Sequence, residues 1–204
     1  MTSSVLGEEQ RDALQEIANI GMGRAGASIA KAFNEFVELS IPRILTPAGA
    51  EIAEAISRLV GGNPVLAVRQ PFHSGMCGEV LVLYDHRGCN ELAELLGYQS
   101  DLDEAAEKQL LLDVTNILVA ACLGGVAEQL KLDIAFAAPS LLGQHASAAA
   151  LLAGEDLVVE RALFVEVNFK LERRSFACHL VILMPDAEIA AVAQAVDAFL
   201  KSFG

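Results

Sequence analysis

Apolar residues Leu14, Ile17, Ala18, Met22, Ala25, Ile29 and Phe33 recur at steps of three and four, which predicts one long helix over about residues 8–36. Ser3 or Ser4 would cap it, and Glu8, Glu9 and Asp12 favour its positive end. Gly21, Gly23 and Gly26 each cost about 1 kcal/mol relative to Ala inside a helix. They imply either close packing against a neighbour or a break near Asn19. An extended stretch over 37–45 follows, then a helix over 48–59 that Gly61, Gly62, Asn63 and Pro64 stop. Strands are expected over 65–72 and 79–85, and a short helix over 90–96 ends at Gly97.

The order then repeats. A long helix is expected over 103–130, with Leu110, Leu111, Val114, Ile117, Leu118 and Leu123 on its apolar side. A strand over 133–136, a helical piece over 141–153, strands over 157–169 and 175–184, and a closing helix over 187–199 after Pro185 and Asp186 complete the chain. The expected fold class is therefore α+β. Two helix-strand-helix-strand-strand-helix units are related by a pseudo-two-fold and share one roughly six-stranded antiparallel or mixed sheet, with the two long helices on one face. Residues 97–102 read as a turn, so residues 1–204 are taken as a single domain with repeat halves of about 8–97 and 103–200.

The repeat carries a polar pattern. Glu16, Asn19 and Pro42 form an acid, an asparagine three residues on, and a proline; Asp113, Asn116 and Pro139 each stand 97 positions later. Asp12, Glu16 and Asn19 are spaced by four and three, so they share one helix stripe, off the faces of Leu14, Ile17 and Ala18. The stripe should look out at solvent. For one copy alone, exposed acids in a first turn and an Asn before Ile-Gly are ordinary helix punctuation. Asn116, however, sits inside the apolar run VTNILVAACLGG, where nothing ends the helix and Asn is a poor helix former. A use for the carboxamide is the simplest reason for it.

Composition narrows the field. A net charge of −13 argues against nucleic acid and against an anionic membrane surface. The longest apolar run, 117–127, is shorter than the roughly 20 residues a span needs, and the acidic N-terminus is unlike a signal peptide. With 53% apolar residues, 5% aromatic and no Trp, the core should be aliphatic. Cys77, Cys89, Cys122 and Cys178 have no CxxC spacing and are read as free thiols in a reducing cytoplasm. His73, His86, His145 and His179 are isolated, Arg173 and Arg174 read as a solvated turn, and the Gly21 to Gly26 run follows a helix and so fails as a nucleotide loop. No nucleophile, base and metal spacing recommends a small-molecule hydrolase.

The spacing of Asp12, Glu16, Asn19 and Pro42, with its copy ending at Pro139, resembles the CheC/CheX/FliY family of response-regulator phosphatases, over essentially the whole chain. Two motif copies look most like CheC; CheX-type members usually carry one, and FliY-type members add flagellar switch segments. The resemblance implies hydrolysis of the aspartyl phosphate of a CheY-type receiver. Glu16 would pair with the receiver's lysine and Asn19 would enter beside the phosphoryl group. Mg²⁺ is expected on the receiver, with no cofactor or metal of the chain's own, and a CheD-type deamidase is a possible further partner. A non-catalytic receiver-binding or CheD-binding module is the alternative. The second copy departs from the pattern: Gln109 stands where Asp or Ser is usual, and Asp113 is one methylene shorter than Glu. Misplacing a positioned group by about 1 Å can cost on the order of a hundredfold in rate, so Asp113 and Asn116 are expected to form the weaker site.

Overall fold

The computed structural model describes residues 6–48, 50–63, 65–84, 89–97, 103–146, 162–172 and 176–202. Helix α1 (Glu8–Phe33) runs unbroken through Asn19, and of its three glycines only Gly21 is needed for close packing; a Cβ at Gly23 would meet nothing within 4 Å. Its first turn is closed by Gln10, whose Oε1 accepts from the Gly7 N–H at 3.0 Å. Ser3 and Ser4, the expected caps, lie outside the described residues. The second long helix is α4 (Glu104–Leu130), capped by Asp103, whose carboxylate accepts from the Ala106 N–H at 2.8 Å. The two helices end alike. Asn34 and Lys131, again 97 positions apart, both take left-handed backbone, with φ of 51° and 55°.

Between and after the long helices come β1 (Val37–Leu39), β2 (Arg43–Leu45), α2 (Ala50–Leu59), β3 (Val65–Ser74), β4 (Gly78–Tyr84) and α3 (Cys89–Leu95). The second half supplies β5 (Ile134–Phe136), β6 (Ser140–Ala146), β7 (Ala162–Leu171), β8 (Ala177–Pro185) and α5 (Asp186–Lys201). One sheet of eight strands runs in the order β1-β7-β8-β4-β3-β5, with β2 also on β7 and β6 also on β3. Every pairing is antiparallel.

Eight strands replace the expected six for two reasons. The 37–45 stretch is split at Ser40-Ile41-Pro42, because proline offers no N–H to a ladder, and its two pieces pair with different parts of β7. The helical piece expected over 141–153 begins as strand β6, which pairs with β3 in place of forming a helix. Residues 147–153 lie outside the described residues, as do 157–161 of the expected strand, the 98–102 part of the expected turn, and Arg173 and Arg174.

The registers carry the repeat into three dimensions. Leu39 opposes Phe169, and Phe136 opposes Phe72; Arg43 opposes Glu166, and Ser140 opposes Arg69. Each second pair is the first with both positions moved by 97 and the halves exchanged. Each half thus lends its two short strands to the other half's long one.

The sheet is buried on both faces. Leu66, Val68, Phe72, Val80, Val82 and Tyr84 face the layer of α1, α3, α4 and α5. Ala67, Leu81, Leu83, Phe164 and Val181 face α2 through Ile52 and Ile56. Alternate positions of β3 and β4 therefore feed two cores. Where α1 meets α4, a Cβ built on Gly125 would sit 2.6 Å from the Gly21 carbonyl oxygen, and one on Gly21 would sit 2.9 Å from the Val126 nitrogen. Only glycine at both points lets the backbones approach this closely. Among the described residues α4 alone has the length and apolarity of a membrane span, but 56% of its most apolar window is buried within the fold, as in a core helix.

Candidate functional site

In the first copy, Asp12 and Glu16 are exposed and Asn19 is half-buried, one step nearer the core than the stripe predicts. Among the described residues none of the three side chains makes a hydrogen bond or ion pair. Asn19 forms part of the wall of a groove of about 520 Å³ between α1 and the 36–42 segment. Met22, Gly23, Gly26, Ala27 and Ala30 form its α1 side, and Phe36 and Ile41 stand on the other with 71% and 73% of their surface exposed. Pro42 shares the groove wall with Asn19. Its carbonyl accepts from Gln15 Nε2 at 2.6 Å, which ties the proline segment to the motif helix one residue before Glu16.

The second copy has the same backbone and different surroundings. Gln109 Nε2 donates to Asp113 Oδ1 at 2.8 Å, so the residue that departs from the pattern occupies the acid. Asn116 Oδ1 accepts from Gln70 Nε2 at 2.9 Å, and the same nitrogen donates to the Ala137 carbonyl at 3.0 Å. A carbonyl can only accept, so Ala137 fixes which end of the Gln70 amide faces it, and Gln70 in turn fixes the Asn116 oxygen inward and its NH₂ outward. The side chains at the equivalent positions differ. Val119 and Leu123, both buried, stand where Met22 and Gly26 stand in the first copy, and Asp133 and Ala138 replace Phe36 and Ile41. Pro139 is half-buried, and Leu112 occupies the position of Gln15.

No protein-family model matches the chain. Among solved structures, FliY of Thermotoga maritima matches with a TM-score of 0.69 at 15% identity, over 96% of this chain and all 100% of that one. The FliM middle domain of H. pylori matches with a TM-score of 0.64 at 10% identity, over 93% of this chain and 99% of that one. CheX of Desulfovibrio desulfuricans matches with a TM-score of 0.51 at 13% identity, over 82% and 99%. The fold is that of the CheC/CheX/FliY family.

In this CheC/CheX/FliY-like fold, the two described cysteines nearest the core, Cys122 and Cys178, are buried. Burial pushes the Cys122 thiol up to about 12, and burial together with the neighbouring Cys122 raises Cys178 well above its ordinary value. Neither is a thiolate at neutral pH. Cys77 is partly exposed and unpaired, and the Cys89 side chain lies outside the described residues.

Gln15, Gln70 and the groove's rim residues Phe36 and Ile41 were not singled out by sequence reasoning. Gln70 did carry a signal: it breaks the inward alternation Leu66, Val68, Gln70, Phe72 on the helix side of β3, where a lone polar residue needs a partner. The rim of the groove had none: Phe36 fell at the end of the expected helix and Ile41 inside the expected extended stretch, and neither position carried a sign of exposure.

Proposed function

We propose that this chain is a phosphatase of a CheY-type receiver, acting in chemotaxis or related two-component signalling in the cytoplasm, with Glu16 and Asn19 as its principal site. The observation that carries the reading is the first copy's geometry: an exposed acid and an amide three residues apart on a rigid helix, neither engaged by the chain's own groups, beside an open groove. Breaking an aspartyl phosphate requires a water to attack phosphorus in line while the bond to the carboxylate oxygen breaks, giving a free carboxylate and inorganic phosphate. The Asn19 carboxamide offers an acceptor and two donors from one planar group, enough to orient that water. Glu16 would hold a receiver lysine, and the receiver would bring Mg²⁺. Asp113 and Asn116 form the weaker site, because Gln109 and Gln70 already engage them.

The rival reading is a binding module of the same fold. It is favoured by the likeness to FliM, whose solved structures include complexes with FliG and with SpeE. A CheD-type partner belongs to this reading as well. Following the decay of radiolabelled phospho-receiver with substoichiometric protein separates the two. Multiple turnovers are expected, with Asn19→Ala losing roughly a hundredfold, the scale of one positioned hydrogen-bonding group, and Asn116→Ala a small part of the total. Equal losses would refute the ranking of the sites, and an unchanged decay would leave only binding.

A further inference from the structure

We infer that the groove beside Asn19 is the docking site of the phosphorylated receiver, and that it takes one large apolar side chain of that partner flanked by a lysine or arginine. The inference rests on the proposed function and adds the surface that selects the partner.

Three observations carry it. Phe36 and Ile41, with 71% and 73% of their surface exposed, flank a groove of about 520 Å³ whose opposite side carries Gly23, Gly26, Ala27 and Ala30 beside Met22 and Asn19, a shape that receives an apolar side chain. The surroundings are acidic: Asp12 and Glu16 are exposed on the stripe leading to Asn19, Glu38 is exposed on the rim strand, and the nearby Arg24 is engaged by Glu128 at 2.9 Å. The other cations nearby are Lys31 in the last turn of α1, Arg11 beside Asp12, and Arg43 beside Pro42, which faces Glu166 at 3.6 Å, so acids still outnumber unengaged cations along the stripe and rim. A basic partner surface is complementary to that field, and with a net charge of −13 the chain repels an acidic one or a second copy of itself.

The repeat supplies the control. At the equivalent place the second copy has the buried Leu123 for Gly26, Asp133 for Phe36 and Ala138 for Ile41, so a large side chain stands where the groove has none and the rim positions carry no large apolar group. The open groove accompanies the copy whose acid and amide are unengaged. A side chain seated in it lies against the same wall as Asn19, which sets where the rest of the partner stands relative to that amide.

The test measures binding and hydrolysis separately on the full chain. The binding probe is a panel of CheY-type receiver domains trapped in the acyl-phosphate-like state with beryllofluoride, titrated calorimetrically. Phe36→Glu and Ile41→Glu, both at exposed positions, and Gly26→Leu, which copies Leu123 of the second half, should each weaken binding about tenfold or more. A Cβ at Gly26 has Leu39 at an ordinary 3.5 Å and the rest of the side chain has the open groove to enter, so the last variant should fold; its thermal unfolding is measured alongside. Ala138→Glu is the matched control and should stay within about twofold.

If all three groove variants bind as the wild type does while the wild type still turns over phospho-receiver, the docking site is overturned and the phosphatase reading stands. If they lose binding but the wild type hydrolyses nothing, the docking site stands and the phosphatase reading fails. A wild-type dimer in sedimentation velocity that Phe36→Glu dissociates would assign the groove to a second copy and overturn the inference, as would a wild type that binds no receiver.

Discussion

Two consecutive glycines in α4 should respond to alanine with opposite signs. A Cβ added at Gly124 meets nothing within 4 Å, so Gly124→Ala should gain the helix propensity difference of about 1 kcal/mol. Gly125→Ala makes the same gain, but its Cβ would sit 2.6 Å from the Gly21 carbonyl oxygen and 3.1 Å from the Gly21 carbonyl carbon. These are backbone atoms and cannot rotate aside. The helices must separate by several tenths of an ångström, with an overpacking cost of roughly 1–3 kcal/mol. The propensity gain is common to both variants and cancels in their difference, which isolates the contact between the helices at about 1–3 kcal/mol. In urea unfolding, Gly124→Ala should raise the midpoint and Gly125→Ala should lower it. In thermal unfolding the first should shift Tm up by about 2–4 °C, the scale for 1 kcal/mol in a chain of this size. A difference below about 0.5 kcal/mol between the two variants would refute the close α1–α4 contact. Because Asn19 lies two residues before Gly21, the same separation would shift the motif, and Gly125→Ala should also slow phosphate release.

Two further outcomes follow from buried groups. Cys122 has its thiol raised by burial from 9.0 to about 12, so the unfolded chain loses this proton first; the stability it confers is complete below pH 9 and is lost between 9 and 12. Unfolding free energies measured from pH 8 to 11 should fall less steeply in Cys122→Ala. Peptide mapping after iodoacetamide should find Cys122 and Cys178 unmodified until urea is added; labelling of either in the native state would contradict their burial. Gln70→Leu should cost about 1–2 kcal/mol, since Asn116 and the Ala137 carbonyl each lose a donor. It should also shift or broaden the Asn116 side-chain amide signals in NMR, and an unchanged signal would mean that Gln70 does not hold Asn116.

The helices and the repeat were legible because both depend on spacing. Apolar residues three and four apart gave α1 and α4 nearly to their ends, and the offset of 97 that relates Asn19 to Asn116 also relates the Asn34 and Lys131 caps and the strand registers. The short strands were harder to read. β1 and β2 have three residues each, too few for alternation to show, and β6 was hidden by the alanine-rich run that follows it. At the site, the stripe of Asp12, Glu16 and Asn19 was readable because helix geometry places it. Gln70 was not connected to Asn116 because 46 residues separate them, and only the pairing of β3 with β5 and β6 brings Gln70 to the Ala137 carbonyl.

The two copies show how a repeat stays regular in its frame while its sites part. Backbone hydrogen bonds hold the register, so a substitution that keeps a strand a strand leaves the offset intact. The groove depends on side-chain volume at a few positions. Leucine in place of Gly26 is enough to fill it, and neither Asp133 nor Ala138 can replace the rim of Phe36 and Ile41. The polar pair depends on neighbours that the frame does not constrain: Val167 stands in β7 where Gln70 stands in β3, so Asn19 has no carboxamide behind it. The copy with Leu123 in place of Gly26 is also the copy whose acid and amide are held by the chain itself. Under the proposed docking, tethering matters little where the receiver does not seat, whereas the first cleft requires a side chain free to turn toward it. On this reasoning, opening the second cleft with Leu123→Gly alone should not create a second docking site, because Asp133 would still supply charge where an apolar rim is needed.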